Sequence, residues 1–196
     1  MSRSLANGGN HANRRGLDFY PTPANVTQAL VDFFSIKGLK IWEPACGDGA
    51  MSVVLEKAGN NVISTDIRQS GYGIPGIDFL LNTKECDAII TNPPFFLSEK
   101  FIEHAIGQAV FVAMLLKSQY WHSSKRLLLF HRHRPSYVMP LTWRPDFLNG
   151  ERGGAPTMEM LWTVWTPNAR KTYYIPLRKP PKVTADELFG GLASPA

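Results

Sequence analysis

With 196 residues, a net charge of +5 and a pI near 9.3, the chain suits one α/β domain and leaves little length for a second recognition domain. Two cysteines, Cys46 and Cys86, are too few for a disulfide scaffold and are read as free thiols. With no zinc-spaced Cys/His cluster, no apolar run of about 18 residues and no signal-peptide pattern, the expectation is a cytoplasmic protein without metal or membrane span.

Residues 1–17 show no apolar periodicity and are read as a mobile arm. A helix should start after Thr22-Pro23, with Val26, Ala29, Leu30 and Phe33 as its apolar stripe. A strand at 39–43 runs into the turn Glu43-Pro44-Ala45-Cys46-Gly47-Asp48-Gly49, which opens a helix at 50–58 carrying Met51, Val54, Leu55 and Ala58 on one face. Glycines there let the backbone approach a ligand. The turn lacks the Gly-Lys-Ser/Thr ending of a phosphate loop, and Glu43 and Asp48 would repel an anion, so a cationic ligand fits better. The next strand, 61–66, ends in Asp66 about 20 residues past the glycine turn, the spacing at which a carboxylate reaches ribose hydroxyls. Glu43, Gly47, Gly49 and Asp66 therefore outline an adenosyl pocket with room for a sulfonium and an amino acid.

Strands are expected at 76–80 and 87–91, the second delivering Asn92-Pro93-Pro94-Phe95. The prolines stop the strand and leave the Asn92 amide, the Pro93 carbonyl and the Phe95 ring at its end. Two acceptors and a flat ring suit a planar substrate bearing an amino group. Taken alone, the tetrapeptide also fits an ordinary turn. A helix at 98–108 and a buried strand at 110–116 continue the alternation, which argues a doubly wound, mostly parallel sheet of Rossmann-like type. Ligands of such sheets bind outside the carboxyl ends of the strands, where Glu43, Asp66, Asp78 and Asn92 fall.

In the last third, residues 120–134 read as a helix followed by a basic stretch that is either a solvated face or a phosphate-binding patch. Strands are expected at 137–143 and 158–165, joined by a Gly/Pro-rich loop at 144–157 that should face substrate. Arg132, Arg134, Arg144 and Arg152 are the candidate nucleic-acid contacts, with Phe147 as a base-step wedge. Trp143, Trp162 and Trp165 are expected in the core, and residues 168–196 as an extended basic tail.

Glu43-Pro44-Ala45-Cys46-Gly47-Asp48-Gly49, Asp66, Asp78-Phe79 and Asn92-Pro93-Pro94-Phe95, in that order and preceded by Phe19-Tyr20-Pro21-Thr22-Pro23, resemble the class I S-adenosylmethionine-dependent methyltransferases of DNA adenine, particularly small phage-type ones. The resemblance spans residues 18–165 and implies a methyltransferase domain over 18–167. It implies S-adenosylmethionine as cofactor, surrounded by Tyr20, Thr22, Glu43, Cys46, Gly47, Gly49, Asp66, Asp78 and Phe79. It also implies that Asn92, Pro93, Pro94 and Phe95 form the catalytic element on a flipped base in DNA, with RNA as an alternative. Cys46 at a variable position of the loop and Phe95 in place of the commoner Tyr depart from the pattern. Cytosine amines and protein glutamine present similar planar groups, and a catalytically silent nucleic-acid-binding subunit is the alternative from another class. Oligomeric state is not legible.

Overall fold

Strands whose side chains alternate between two apolar faces require cover on both sides, and here helices supply it. The computed structural model describes residues 21–69, 71–147 and 155–181. In chain order the regular elements are α1 (Ala24–Phe34), β1 (Lys40–Glu43), α2 (Ala50–Lys57), β2 (Asn61–Asp66), β3 (Ile74–Pro75), β4 (Ala88–Thr91), α3 (Ser98–Ile106), β5 (Phe111–Lys117), α4 (Leu127–Arg132), β6 (Tyr137–Pro140), β7 (Met160–Trp165) and β8 (Tyr173–Tyr174). Among the described residues the strands form one sheet in the order β3-β2-β1-β4-β5-β7-β6-β8. Strands β1 to β5 pair in parallel, β7 runs antiparallel to β5 and β6, and β8 pairs in parallel with β6. Strand order reverses between β1 and β4, and such a switch point opens a crevice at the carboxyl ends.

The period of two is visible in the burial. Ile41, Ile90, Ala113 and Leu115 face one way and pack with Val26, Leu30, Met51 and Leu55 of α1 and α2. Trp42, Ile89, Val112 and Met114 face the other way and pack with Phe101, Ile102 and Ala105 of α3. Trp162 and Trp165 lie in these two cores, as expected, and the Trp162 indole donates to the Val26 carbonyl at 3.0 Å, tying β7 to α1. Asn60 clips the junction after α2: its amide nitrogen donates to the carbonyls of Ile36 and Leu55, and its oxygen accepts from Leu39 N–H.

Three expectations from sequence are corrected. The strand expected at 76–80 is instead the short edge strand β3 followed by a 3-10 turn at Phe79–Leu81, because the Asp78 carboxylate accepts from Leu80 N–H and closes that turn. Gly73 and Gly76 bracket β3 with φ of 65° and 74°, and a Cβ on Gly73 would meet the Ser64 carbonyl at 2.5 Å. The long helix expected from residue 120 is two 3-10 turns, Ser118–Trp121 and Ser124–Arg126, before the short α4; extended Ser123 separates them. The strand expected at 137–143 ends at Pro140, leaving half-buried Trp143 beyond it, and β7 starts at Met160. Pairing also continues past Pro167, through β8 and a bridge between Leu141 and Leu177, into the segment expected as a tail. Among the described residues no helix is long and apolar enough to cross a membrane.

Candidate functional site

A cleft of about 300 Å³ opens at the carboxyl ends of β1, β2 and β4. Its walls include Thr22, Glu43, Cys46, Gly47, Asp66, Asp78, Phe79 and Asn92 to Phe95. Residues separated by up to 73 positions in sequence (22 to 95) are thus brought to one place by the switch point. Tyr20 and Arg152 lie outside the described residues.

Asp66 closes β2 and is 2% exposed. Its Oδ2 accepts from Gly47 N–H at 2.9 Å and from Arg68 Nη2 at 3.1 Å; its Oδ1 accepts from Arg68 N–H at 2.8 Å and Nε at 3.1 Å. A carboxylate offers about four lone-pair positions, so Gly47 and Arg68 occupy all of them. Burial pushes the Asp66 pKa up, but hydrogen bonds from Arg68 and Gly47 together outweigh burial and hold it below the usual carboxylate range. A hydroxyl ligand at Asp66 must displace the Arg68 side chain, which is half exposed, and replace its hydrogen bonds. No motif in the sequence points to Arg68.

Glu43 ends β1 and is 2% exposed. The Ser52 hydroxyl from α2 donates to it, and Ser52 is in turn 2.6 Å from the Ser64 hydroxyl. Burial raises the Glu43 pKa to about 8, with Ser52 opposing that shift and the negative charges of Asp48 and Asp66 adding to it. The group is therefore an acid at neutral pH, and the cationic preference expected from Glu43 needs a cation close enough to drive off its proton.

Gly47 and Gly49 both adopt positive φ, 56° and 85°. Of the two, Gly47 is on the cleft wall and Gly49 is not. A Cβ on Gly49 would stand 2.5 Å from the Tyr72 ring, whose hydroxyl meets Glu56 at 3.2 Å. Gly49 is thus held to glycine by a side chain lying on the turn. Cys46 is buried with its thiol directed to the Tyr72 carbonyl at 3.5 Å. Phe79 lines the floor at 2% exposure, its ring packed edge-on to Trp42 at 4.9 Å and against Phe101 at 4.7 Å.

Another wall of the cleft is built at the end of β4. Asn92 Nδ2 donates to the buried Thr22 hydroxyl at 3.1 Å. Asn92 Oδ1 is buried and, among the described residues, takes no hydrogen bond; nor does the Pro93 carbonyl. An orphaned buried acceptor costs about 1–3 kcal/mol, a cost that a donor entering the cleft would remove. Pro94 caps a 3-10 turn, Phe95–Leu97, that runs into α3. The half-buried Phe95 ring carries Lys117 Nζ from the end of β5 at 3.7 Å, a cation–π contact. Phe96, next in the turn, is 78% exposed on the cleft wall.

The arginines expected at nucleic acid divide between the two edges of the sheet. Arg144 donates to Glu159 at 2.8 Å, beside the start of β7 and the end of β5, on the cleft edge. Arg132 and Arg134 line a separate shallow cleft with Val110, Val112 and Trp165, at the start of β5 and the end of β7. That is the opposite edge, roughly 20 Å away at the rise of an extended strand. Arg132 is paired there with Glu103 at 2.9 Å. Phe147, expected as a wedge, is 4% exposed in the core. Among the described residues no group of three His, Cys, Asp or Glu is placed to hold a metal ion.

No family model and no curated protein matches the chain. Solved structures do share its fold. One, from Pyrococcus horikoshii and named as a candidate RNA methyltransferase, aligns over 76% of this chain and 87% of its own with 16% identity and a TM-score of 0.61. A type I restriction-modification methyltransferase subunit from Streptococcus thermophilus aligns over 80% of this chain and 47% of its own, with 13% identity and a TM-score of 0.63. A dimethyladenosine transferase from Plasmodium falciparum aligns over 76% and 63%, with 15% identity and a TM-score of 0.57. The chain spans about half the length of the second and under two thirds of the third. The architecture is that of class I, Rossmann-like methyltransferases.

Proposed function

We propose that this chain transfers the sulfonium methyl of S-adenosylmethionine to the exocyclic amino group of adenine in DNA, over a methyltransferase unit beginning near residue 18. The observation that carries the reading is Asn92: an amide at the end of β4 whose buried Oδ1 has no hydrogen-bond partner among the described residues, on the wall of the same cleft as Asp66 and Glu43. The fold of methyltransferases and the size of the cleft support it, since ligand sites commonly measure about 300–1,000 Å³.

The cleft fits the cofactor's chemistry. Asp66 would take the ribose hydroxyls in place of Arg68, Gly47 lets the backbone approach, and Asp78 lies on the wall of the same cleft. Glu43 meets the cationic end. A positive charge beside Glu43 favours its ionised form, so binding should release a proton and strengthen as pH rises toward about 8. When bound, the cofactor supplies an electrophilic methyl group. The residues then have to hold an amine nitrogen about 3–3.5 Å from it, in line. Asn92 Oδ1 and the Pro93 carbonyl accept the two amine hydrogens, which fixes the nitrogen and favours the positive charge it acquires. In duplex DNA the amine is paired, so the base must leave the stack at a cost of a few kcal/mol.

Incubation with labelled cofactor and DNA, RNA or protein, followed by mass spectrometry of the products, tests this. N6-methyladenine from DNA is expected. Label in cytosine, RNA or glutamine would move the reading to those substrates, and no transfer at all, with cofactor bound, would leave a silent binding subunit.

A further inference from the structure

The ring expected to stack on the substrate is Phe95, yet the structure has already placed a partner on it. Lys117 Nζ sits 3.7 Å from the ring centroid, and the half-buried ring packs against the core that holds residues of α1, α2 and β5. Phe96 is placed the opposite way. Its side chain is 78% exposed although it lines the cleft. The backbone explains the difference: successive residues of a 3-10 turn project about 120° apart, so a turn that points Phe95 inward points Phe96 out.

That turn is rigid. Pro94 enters it at φ −53°, its carbonyl accepts from Leu97 N–H at 2.9 Å, and the Ser98 hydroxyl donates to the Phe95 carbonyl at 3.1 Å. Phe96 is therefore an exposed aromatic face on a hydrogen-bonded turn, at a cleft whose strand end carries the Asn92 acceptor, without a partner among the described residues. A large ring left in water inside a ligand cleft lowers the free energy of whatever flat, apolar surface covers it, and a preorganised ring loses little entropy on being covered.

We propose that Phe96 is a stacking residue for the substrate base, with Phe95 acting mainly as a positioning residue held by Lys117. The proposal rests on the amino-methyltransferase reading above. A base whose amine reaches Asn92 and Pro93 lays its face across the Phe96 ring as it enters, so Phe96 governs capture of the base more than transfer.

The test compares wild type with Phe96→Ala, Phe96→Leu and Phe96→Trp, using short single-stranded oligonucleotides with one adenine. Stacking worth about 1–3 kcal/mol per base corresponds to a 5- to 150-fold rise in KM for Phe96→Ala. kcat and cofactor Kd should stay close to wild type, Phe96→Trp should restore KM, and Phe96→Leu should not. With 2-aminopurine as the target base, wild type and Phe96→Trp should quench the bound base's fluorescence and Phe96→Ala should leave it bright. An unchanged KM in Phe96→Ala, or full rescue by Phe96→Leu, overturns the stacking role. If wild type methylates no nucleic acid, the functional reading itself has failed, whatever Phe96 does.

Discussion

Glu43 is legible in the sequence as a residue of the cleft wall, but its charge is not. Ionised, it reads as an acidic attraction for a cation; buried against Ser52 and Ser64, it keeps its proton to about pH 8. Unfolded, it would lose that proton around 4.5, so between these values the native state holds more protons and stability falls as pH rises, levelling off above 8. The effect is on the order of a few kcal/mol. Glu43→Gln has no proton to lose, so the ligand-free variant should melt above wild type at pH 9, with the gap closing toward pH 5. Thermal melts at pH 5, 7 and 9 measure this, and parallel profiles would mean that Glu43 ionises normally. The Thr22 hydrogen bond to Asn92 is equally hidden in the sequence. Its partners are 70 residues apart, and the family resemblance places Thr22 at the cofactor.

Among the elements, the glycine turn before α2 shows how one residue type serves two purposes. Gly47 serves the cleft, whereas Gly49 serves Tyr72. Gly49→Ala should destabilise the fold by about 1–3 kcal/mol, because positive φ and a 2.5 Å clash act together. Adding Tyr72→Ala should relieve the clash and leave the backbone strain, so denaturant unfolding of the double mutant should show partial recovery only. Full additivity of the two changes would mean that the ring does not constrain Gly49. Elements read from strong apolar periodicity, α1 to β2 and β4 to β5, lie where expected. The segments at 76–80 and 120–134 do not. In the first the Asp78 carboxylate closes a turn, a local hydrogen bond that competes with the strand; in the second the extended backbone at Ser123 breaks the helix.

For the whole molecule, net positive charge suggests a polyanion without saying where it would lie. The fold puts Arg144 on the cleft edge and Arg132 and Arg134 on the other. A nucleic acid that reached both would have to span the sheet. If the far edge binds phosphates, Arg132→Ala/Arg134→Ala should flatten the slope of log affinity against log salt on long duplex DNA by about 0.9 for each phosphate no longer neutralised. Titrations at several salt concentrations read this directly. An unchanged slope would remove the far edge from DNA binding and leave Arg144 as the described candidate.

The fold class, the strand ends that carry Glu43, Asp66 and Asn92, and their convergence on one edge can all be read from the order of residues. Those follow from hydrophobic period and proline or glycine stops, which are local, and from the rule that parallel strands end together. The tertiary structure alone decided what each residue does there: Arg68 filling Asp66, Lys117 covering Phe95, Phe96 left uncovered, Glu43 holding a proton. Pairings between distant segments and burial set these properties, and neither is a property of any one stretch of chain.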